Sequence, residues 1–348
     1  MTVEVTAYDT AHPGDVGPLS RVLASFDPGR VRRLALLVKT EGNAEVNDFS
    51  REYAMQCASL AAVLREGERL LERSSFLFST GCEGAITPFG YLFADVEEPS
   101  APASRARALA MGCARSRSLA PEEIGTPAHV EITAQAVKTA MDDAGVAAED
   151  VSLVIVKTPV MSHAAAATRI TSAYSKAVGA LGAGLALGEV DRRRIVQEAF
   201  DRDHSLYARR AMVFSGSELD CVEIMLLANR AGAPGTLTVH HGELRDMLDA
   251  RGLRAMYAAA GCRVADGEVV DATRVVATMI KAGIAPDGRL RGQRTTMKTS
   301  HIDMDKHVRA AMSGVFGSVL GDTRAFISAN TVHQAPPGGG LCACIVRG

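Results

Sequence analysis

Three lysines and three serines stand where side chains could do chemistry. Lys39, Lys157 and Lys281 close the apolar runs RLALLVK, VSLVIVK and RVVATMIK. Ser79, Ser215 and Ser328 close SFLFS, AMVFS and RAFIS. A serine hydroxyl is a weak nucleophile until an adjacent base takes its proton. Lysine serves as that base only if its pKa falls from ~10.4 toward neutrality. Three lysines at one site would depress one another by like-charge repulsion, and apolar strands add desolvation. The residue after each serine offers a backbone N–H to a developing oxyanion. Only Ser215 is followed directly by glycine, Gly216. Glycine lets the backbone approach a substrate closely. Lys157 and Ser215 are therefore the expected chemical pair, base and nucleophile. A further base recurs between each lysine and serine: Arg51 in NDFSRE, Lys176 in SAYSKA and Arg309 in KHVRAA. A ring of such bases suits a flat, oxygen-rich, acidic ligand.

The elements that must position these residues repeat three times. The order is Lys-strand, helix, Ser-strand, polar turn, strand, with each serine 40, 58 and 47 residues after its lysine. The strands after the turns are AITPFGYLFADV, CVEIMLLAN and GLCACIVR. That is room for a crossover, so Lys-strand and Ser-strand should run parallel and deliver both residues at their C-terminal ends. Each repeat then places one lysine beside one serine. The expected fold is α/β: three internally repeated β-α-β-type units around a pseudo-threefold axis, with one central active site. The units are expected at residues 1–97, 103–236 and 242–348, with EPSAPAS as the first linker and RAGAPG at the second boundary. His240 and His241 are expected on the linker into the third unit. The crossover helices are expected in CASLAAVLREGERLLERSS, with Leu60, Val63, Leu64 and Leu70 at near-helical spacing, in ATRITSAYSKAVGALGAGLALGEV and in MDKHVRAAMSGVFGSVLG. Gly179, Gly182, Gly184 and Gly188 suit close helix–sheet packing.

Composition removes other classes. Of 348 residues, 38 are Lys or Arg and 40 Asp or Glu, a formal net charge of −2, which gives no basic field for nucleic acid. No apolar run reaches the ~18 residues of a membrane span, and MTVEVTAYDTAHPGD lacks the basic and apolar regions of a signal peptide. The chain reads as cytoplasmic. Seven scattered cysteines with no C-x-x-C argue against a disulfide framework or zinc ribbon, and Cys342 and Cys344 read as buried strand thiols. His301 and His307 lack helical ligand spacing. No H-E-x-x-H, G-x-S-x-G or Walker sequence occurs.

VKTEGNAEVNDFSR, FSTGCEGAITP, the segment from SAYSK to ALGEV, VFSGSE, RGQRTTM and HQAPPGGG together resemble the cyclic amide hydrolase family, which contains cyanuric acid hydrolases and barbiturases. The resemblance spans essentially the whole chain. It implies hydrolytic opening of a cyclic imide-type ring in one central site of a threefold-repeated fold. Ser215 would be the nucleophile and Lys157 its base. Ser79 and Ser328, with the N–H groups of Thr80, Gly216 and Ala329, would hold ring carbonyls. Arg51, Lys176 and Arg309 would contact ring oxygens, and Lys39 and Lys281 would complete the cage. Thr80 and Ala329 stand where the family usually has glycine, and Lys176 where it has arginine. These departures break the threefold pattern and point away from cyanuric acid, leaving barbituric acid or a cyclic amide that is neither as the expected substrate. The alternative is a degenerate homologue that binds an oxygen-rich cyclic ligand without turning it over. The resemblance implies no required cofactor, a small cyclic amide as substrate and a homotetramer. It also implies a structural divalent metal such as Mg, held near an acid that follows the third lysine. Gly283 stands about there, the next acid is Asp287, and HQAPPGGG would supply carbonyls.

Overall fold

The computed structural model describes residues 1–43, 48–97, 106–160 and 171–348. The EPSAPAS linker and the beginning of the segment expected as the second crossover helix fall mostly or wholly outside them.

The first unit runs β1 (Thr2–Asp9), α1 (Gly17–Leu23), β2 (Val31–Thr40), α2 (Ser50–Glu66), α3 (Glu68–Leu71), β3 (Ser75–Thr80) and β4 (Phe89–Val96). The second runs β5 (Arg107–Arg115), α4 (Pro127–Ala144), β6 (Val151–Pro159), α5 (Ser172–Ala186), β7 (Ala211–Gly216) and β8 (Glu223–Ala231). The third runs β9 (Leu237–Leu244), α6 (Ala250–Ala259), the short hairpin β10 (Val264–Ala265) and β11 (Glu268–Val269), then β12 (Val275–Ala282). It ends with the hairpin β13 (Arg289–Leu290) and β14 (Gln293–Arg294), α7 (Met304–Leu320), β15 (Phe326–Ala329) and β16 (Gly340–Arg347).

Each unit builds one four-stranded sheet in the same order: β1-β4-β2-β3, β5-β8-β6-β7 and β9-β16-β12-β15. In each, the Lys-strand and Ser-strand pair in parallel and the other neighbours are antiparallel. The third sheet opens at Leu237, ahead of the expected start at 242. His240 and His241 are accordingly strand residues, paired with Cys344 and Ala343, and not linker.

Both faces of these sheets are covered, which is why the strands read as continuous apolar runs. Alternate residues such as Leu37, Ile155 and Met279 meet in one core shared by all three units. Their neighbours, such as Leu36, Val154 and Ile280, pack under each unit's own helices. Burying each such side chain contributes about 1.5–3 kcal/mol. Cys342 and Cys344 are buried free thiols on β16.

The crossover helices differ from expectation in one respect. α2 begins at Ser50, and its sheet-facing side is Ala54, Ala58 and Ala62. Leu60 and Leu64 are 58% and 78% exposed, and Phe49 and Tyr53 are 69% and 53% exposed. Small alanines let the helix lie close to the sheet, so the larger side chains fall outside. α5 uses glycine in the same way, against two surfaces. A Cβ on Gly179 would come within 2.9 Å of Val213 of the sheet, and one on Gly182 within 2.5 Å of Thr133 of α4.

Candidate active site

A cavity of about 290 Å³ opens where the parallel strand pairs end. All three units line it, with Ser79 and Thr80 from the first, Lys157, Lys176 and Ser215 from the second, and Arg309, Ser328 and Ala329 from the third. Arg51, at the start of α2, lines it as well.

Two units make the expected pair. Lys39 lies directly opposite Ser79 in the ladder, and its Nζ donates to Ser79 Oγ at 3.3 Å and to the Thr80 carbonyl at 3.2 Å. Lys281 lies opposite Ser328 and donates to its Oγ at 3.1 Å. Its ammonium also sits 4.4 Å from the Phe214 ring centre, a cation–π contact.

The second unit departs from this pattern, and the expected Lys157–Ser215 contact is not made. Lys157 lies opposite Phe214, and Ser215 lies opposite Thr158. β7 keeps the register of the other Ser-strands, so Phe214 takes the place of their serine, and Ser215, one residue further on, faces the other side of the sheet. Met212 and Phe214 therefore enter the shared core, while Val213 faces the second unit's helices. Lys157 Nζ donates to the Phe78 carbonyl of the first unit at 3.0 Å and forms an ion pair with Glu218 at 2.6 Å. The Ser215 hydroxyl meets the Ser172 hydroxyl at 2.6 Å. Ser215 remains in the cavity wall and is less buried than Ser79 or Ser328.

The lysines are all depressed. Burial, with the Arg309 guanidinium nearby, brings Lys39 down to about 7. Burial brings Lys157 down to about 8 even though Glu218 pulls it up. Burial, then the Lys176 ammonium, holds Lys281 well below an ordinary lysine. Lys176 is lowered by burial against the pull of Asp305.

Carboxylates that sequence reasoning missed organise the helix bases. Glu83 takes Arg309 in a two-bond fork at 2.5 and 2.6 Å. Glu218 lies 3.1 Å from Arg51 Nε as well as against Lys157. Burial pushes the Glu218 carboxyl up, but these two cations more than offset it, and it ends below the usual range. The signal was present: an acid stands three or four residues after the first two serines. No acid follows Ser328, and Lys176 instead has Asp303 and Asp305 of the α7 N-terminus as its acidic neighbours.

Gly216 lies hard against the Glu218 carboxylate, which any larger residue would displace. A Cβ there would stand 1.9 Å from Glu218 Oε2. Thr80 and Ala329 do not simply narrow the cavity. The Thr80 hydroxyl donates to Asp48 at 2.8 Å, and Ala329 belongs to the third unit's helix-side core.

The place expected to hold a metal lacks the acid that the resemblance puts there. A Cβ on Gly283 would meet Thr331 Oγ1 at 2.1 Å, which leaves no room for an acidic side chain there. Asp287 is 60% exposed beside Arg289. The HQAPPGGG loop instead braces the second unit. His333 Nδ1 donates to the Leu206 carbonyl, His333 Nε2 accepts from Asp201 N–H, and Gln334 Oε1 accepts from Val213 N–H at 2.7 Å.

Residues 4–347 match the family described as amidohydrolase ring-opening protein. The chain is 35% identical to a cyclic amide hydrolase of Azorhizobium caulinodans over 366 residues, covering 100% of both. It is 36% identical to a cyanuric acid amidohydrolase of Ectopseudomonas oleovorans over 370 residues, again covering 100% of both. A solved cyanuric acid hydrolase superimposes with a TM-score of 0.92 at 32% identity, covering 100% of this chain and 99% of that one.

Proposed function

The chain belongs to the ring-opening amidohydrolase family, and from that premise we propose that it hydrolyses a carbon–nitrogen bond in a small cyclic amide or imide, with Ser215 as nucleophile. The observation that carries this reading is one cavity lined by three serines and by Lys157 and Lys176, with Lys39 and Lys281 bonded behind Ser79 and Ser328, all four lysines depressed. A cavity of about 290 Å³ suits a single six-membered ring. Ser79 and Ser328, each backed by a lysine, offer hydroxyls to ring oxygens. Arg51 and Arg309 are held by carboxylates that do not themselves line the wall, which keeps their remaining donors on the cavity side. Ser215 attacks a ring carbonyl, the Gly216 N–H steadies the oxyanion, the ring C–N bond breaks, and water releases the opened product.

The sequence nominates Lys157 for the serine proton. Its hydrogen bond to Phe78 and ion pair with Glu218 make it, in this arrangement, a fixed positive charge on the wall. The broken threefold symmetry supports a substrate other than cyanuric acid, since Lys176, Thr80 and Ala329 each differ from their counterparts. The separation of Lys157 from Ser215 favours a second reading, in which the cavity binds a cyclic ligand without opening it. The reaction as read needs no cofactor.

The deciding measurement is mass spectrometry of a panel of cyclic amides incubated with enzyme. A gain of one water, abolished by Ser215→Ala, is the expected result. Ligand binding with no mass gain on any ring would sink the hydrolase and leave the binding reading.

A further inference from the structure

In the second unit the nucleophile's nearest hydroxyl is not backed by a strand lysine. Ser172, the first residue of α5, holds the Ser215 hydroxyl at 2.6 Å. Lys176 lies four residues further along the same helix, and residues so spaced share one helix face, with Cβ atoms ~5–6 Å apart. Ser172, Lys176 and Ser215 all line the cavity. The equivalent helix position in the other two units carries Arg51 and Arg309. Arginine does not give up its proton in proteins, whereas a buried lysine does so readily. The single lysine among the three helix bases is thus in the unit whose strand lysine is turned away from its serine.

We propose that Ser172 and Lys176 form the proton relay that activates Ser215. As Ser215 Oγ bonds to the ring carbonyl carbon, its proton passes to Ser172 Oγ. Ser172 passes its own proton to the neutral Lys176 amine. The carbonyl π electrons become the oxyanion. On collapse the C–N bond breaks, and the departing ring nitrogen takes the proton back from the Lys176 ammonium through Ser172. Water then opens the acyl-enzyme, with Lys176 again accepting a proton. Lys157 keeps its proton throughout, held by Glu218 and the Phe78 carbonyl.

The charges facing Lys176 come from three elements besides its own. Asp303, at the N-cap of α7, and Asp305 in its first turn favour the ammonium. Arg309 of α7, Arg51 of α2 and Lys281 of β12 oppose it. Burial sides with the opposing group, so the amine is available at lower pH than for a free lysine.

The relay rests on Ser215 being the nucleophile, and the test separates the two claims. Lys176→Arg keeps the charge and restores the residue of the other units but accepts no proton. It should cut kcat about 10²–10⁴-fold with KM within a few-fold, and should remove the acid limb of the wild-type pH–rate profile. Ser172→Ala should do the same, and Ser172→Thr, which keeps a hydroxyl, should recover most of the rate. Wild-type kcat in Lys176→Arg would overturn the relay and leave the hydrolase intact. A second readout needs no substrate: the rate at which a fluorophosphonate labels Ser215, mapped by peptide mass spectrometry. Slowed labelling in both variants, alongside no ring opening by the wild type, would keep the relay and discard the cyclic amide. Labelling indifferent to both variants would discard the relay even if Ser172→Ala proved poorly folded, because Lys176→Arg decides alone.

Discussion

Burial and the Arg309 guanidinium leave Lys39 poised near neutrality, at about 7. Its ammonium stands behind Ser79, where it strengthens the hold on an electron-rich ring oxygen. The sign follows directly. Below about 7 the group is charged, and above it the charge is lost. Affinity for an oxygen-rich ring should therefore weaken several-fold from pH 6 to pH 8 in the wild type, relative to Lys39→Met measured by calorimetry on the same ring. Comparing the two proteins cancels any ionisation of the ligand. A constant ratio of the two affinities across that range would show that Lys39 plays no such part. Other residue-scale facts were readable in advance. Continuous apolar runs closing in Lys or Ser placed each of these residues within two positions of its strand's end. The displacement of Ser215 lies in position, not in register: β7 pairs with β6 as β3 does with β2, and Phe214, four residues before Glu218 as Ser79 is before Glu83, stands in the serine's place, packed against Phe326 and Lys281. The acids Glu83 and Glu218 were visible in sequence, but their cross-unit partners were not.

Among the elements, α2 shows how apolar spacing misleads when the helix rests on alanines. Leu60 and Leu64 sit at helical spacing, yet the sheet takes Ala54, Ala58 and Ala62. What remains is a stripe of Phe49, Tyr53, Leu60 and Leu64 on the outer face. Exposed apolar stripes of this kind mark contact surfaces. The stripe supports the homo-oligomer, a tetramer by resemblance, that the sequence leads one to expect. Replacing Leu60 and Leu64 together with glutamate should lower the mass measured by light scattering while leaving the thermal midpoint nearly unchanged. An oligomer of unaltered mass would place its interface elsewhere.

At the scale of the whole molecule, the units trade partners around the cavity. Arg309 of the third is held by Glu83 of the first, and Arg51 of the first by Glu218 of the second. Lys176 of the second has Asp305 of the third as its neighbour. A similar exchange lies outside the cavity. Arg33, 3% exposed and next to a bulge in β2, pairs with Asp95 at 2.8 Å and with Asp143 of α4 in the second unit. Arg33→Met would leave a buried carboxylate without its cation, which costs about 3–5 kcal/mol. A markedly lower urea midpoint at unchanged m-value is the expected result, and a midpoint within error of wild type would show that the pair contributes nothing net. The threefold architecture was legible because each unit must rebuild the same buried strand pair. The traded contacts were not, since no local pattern records which unit lies beside which.

The brace on β7 has a consequence for biosynthesis. The Val213 N–H finds its partner in Gln334, 121 residues further along the chain. Ala208, which leads into β7, likewise bonds the His333 carbonyl. On the ribosome, the strand that carries Ser215 must wait, its backbone still open, until most of the third unit has been made. Contacts closing so late slow folding and leave a strand edge exposed to neighbouring nascent chains. The same delay keeps a half-made chain from presenting a finished nucleophile, so reactivity arrives only once all three units are in place.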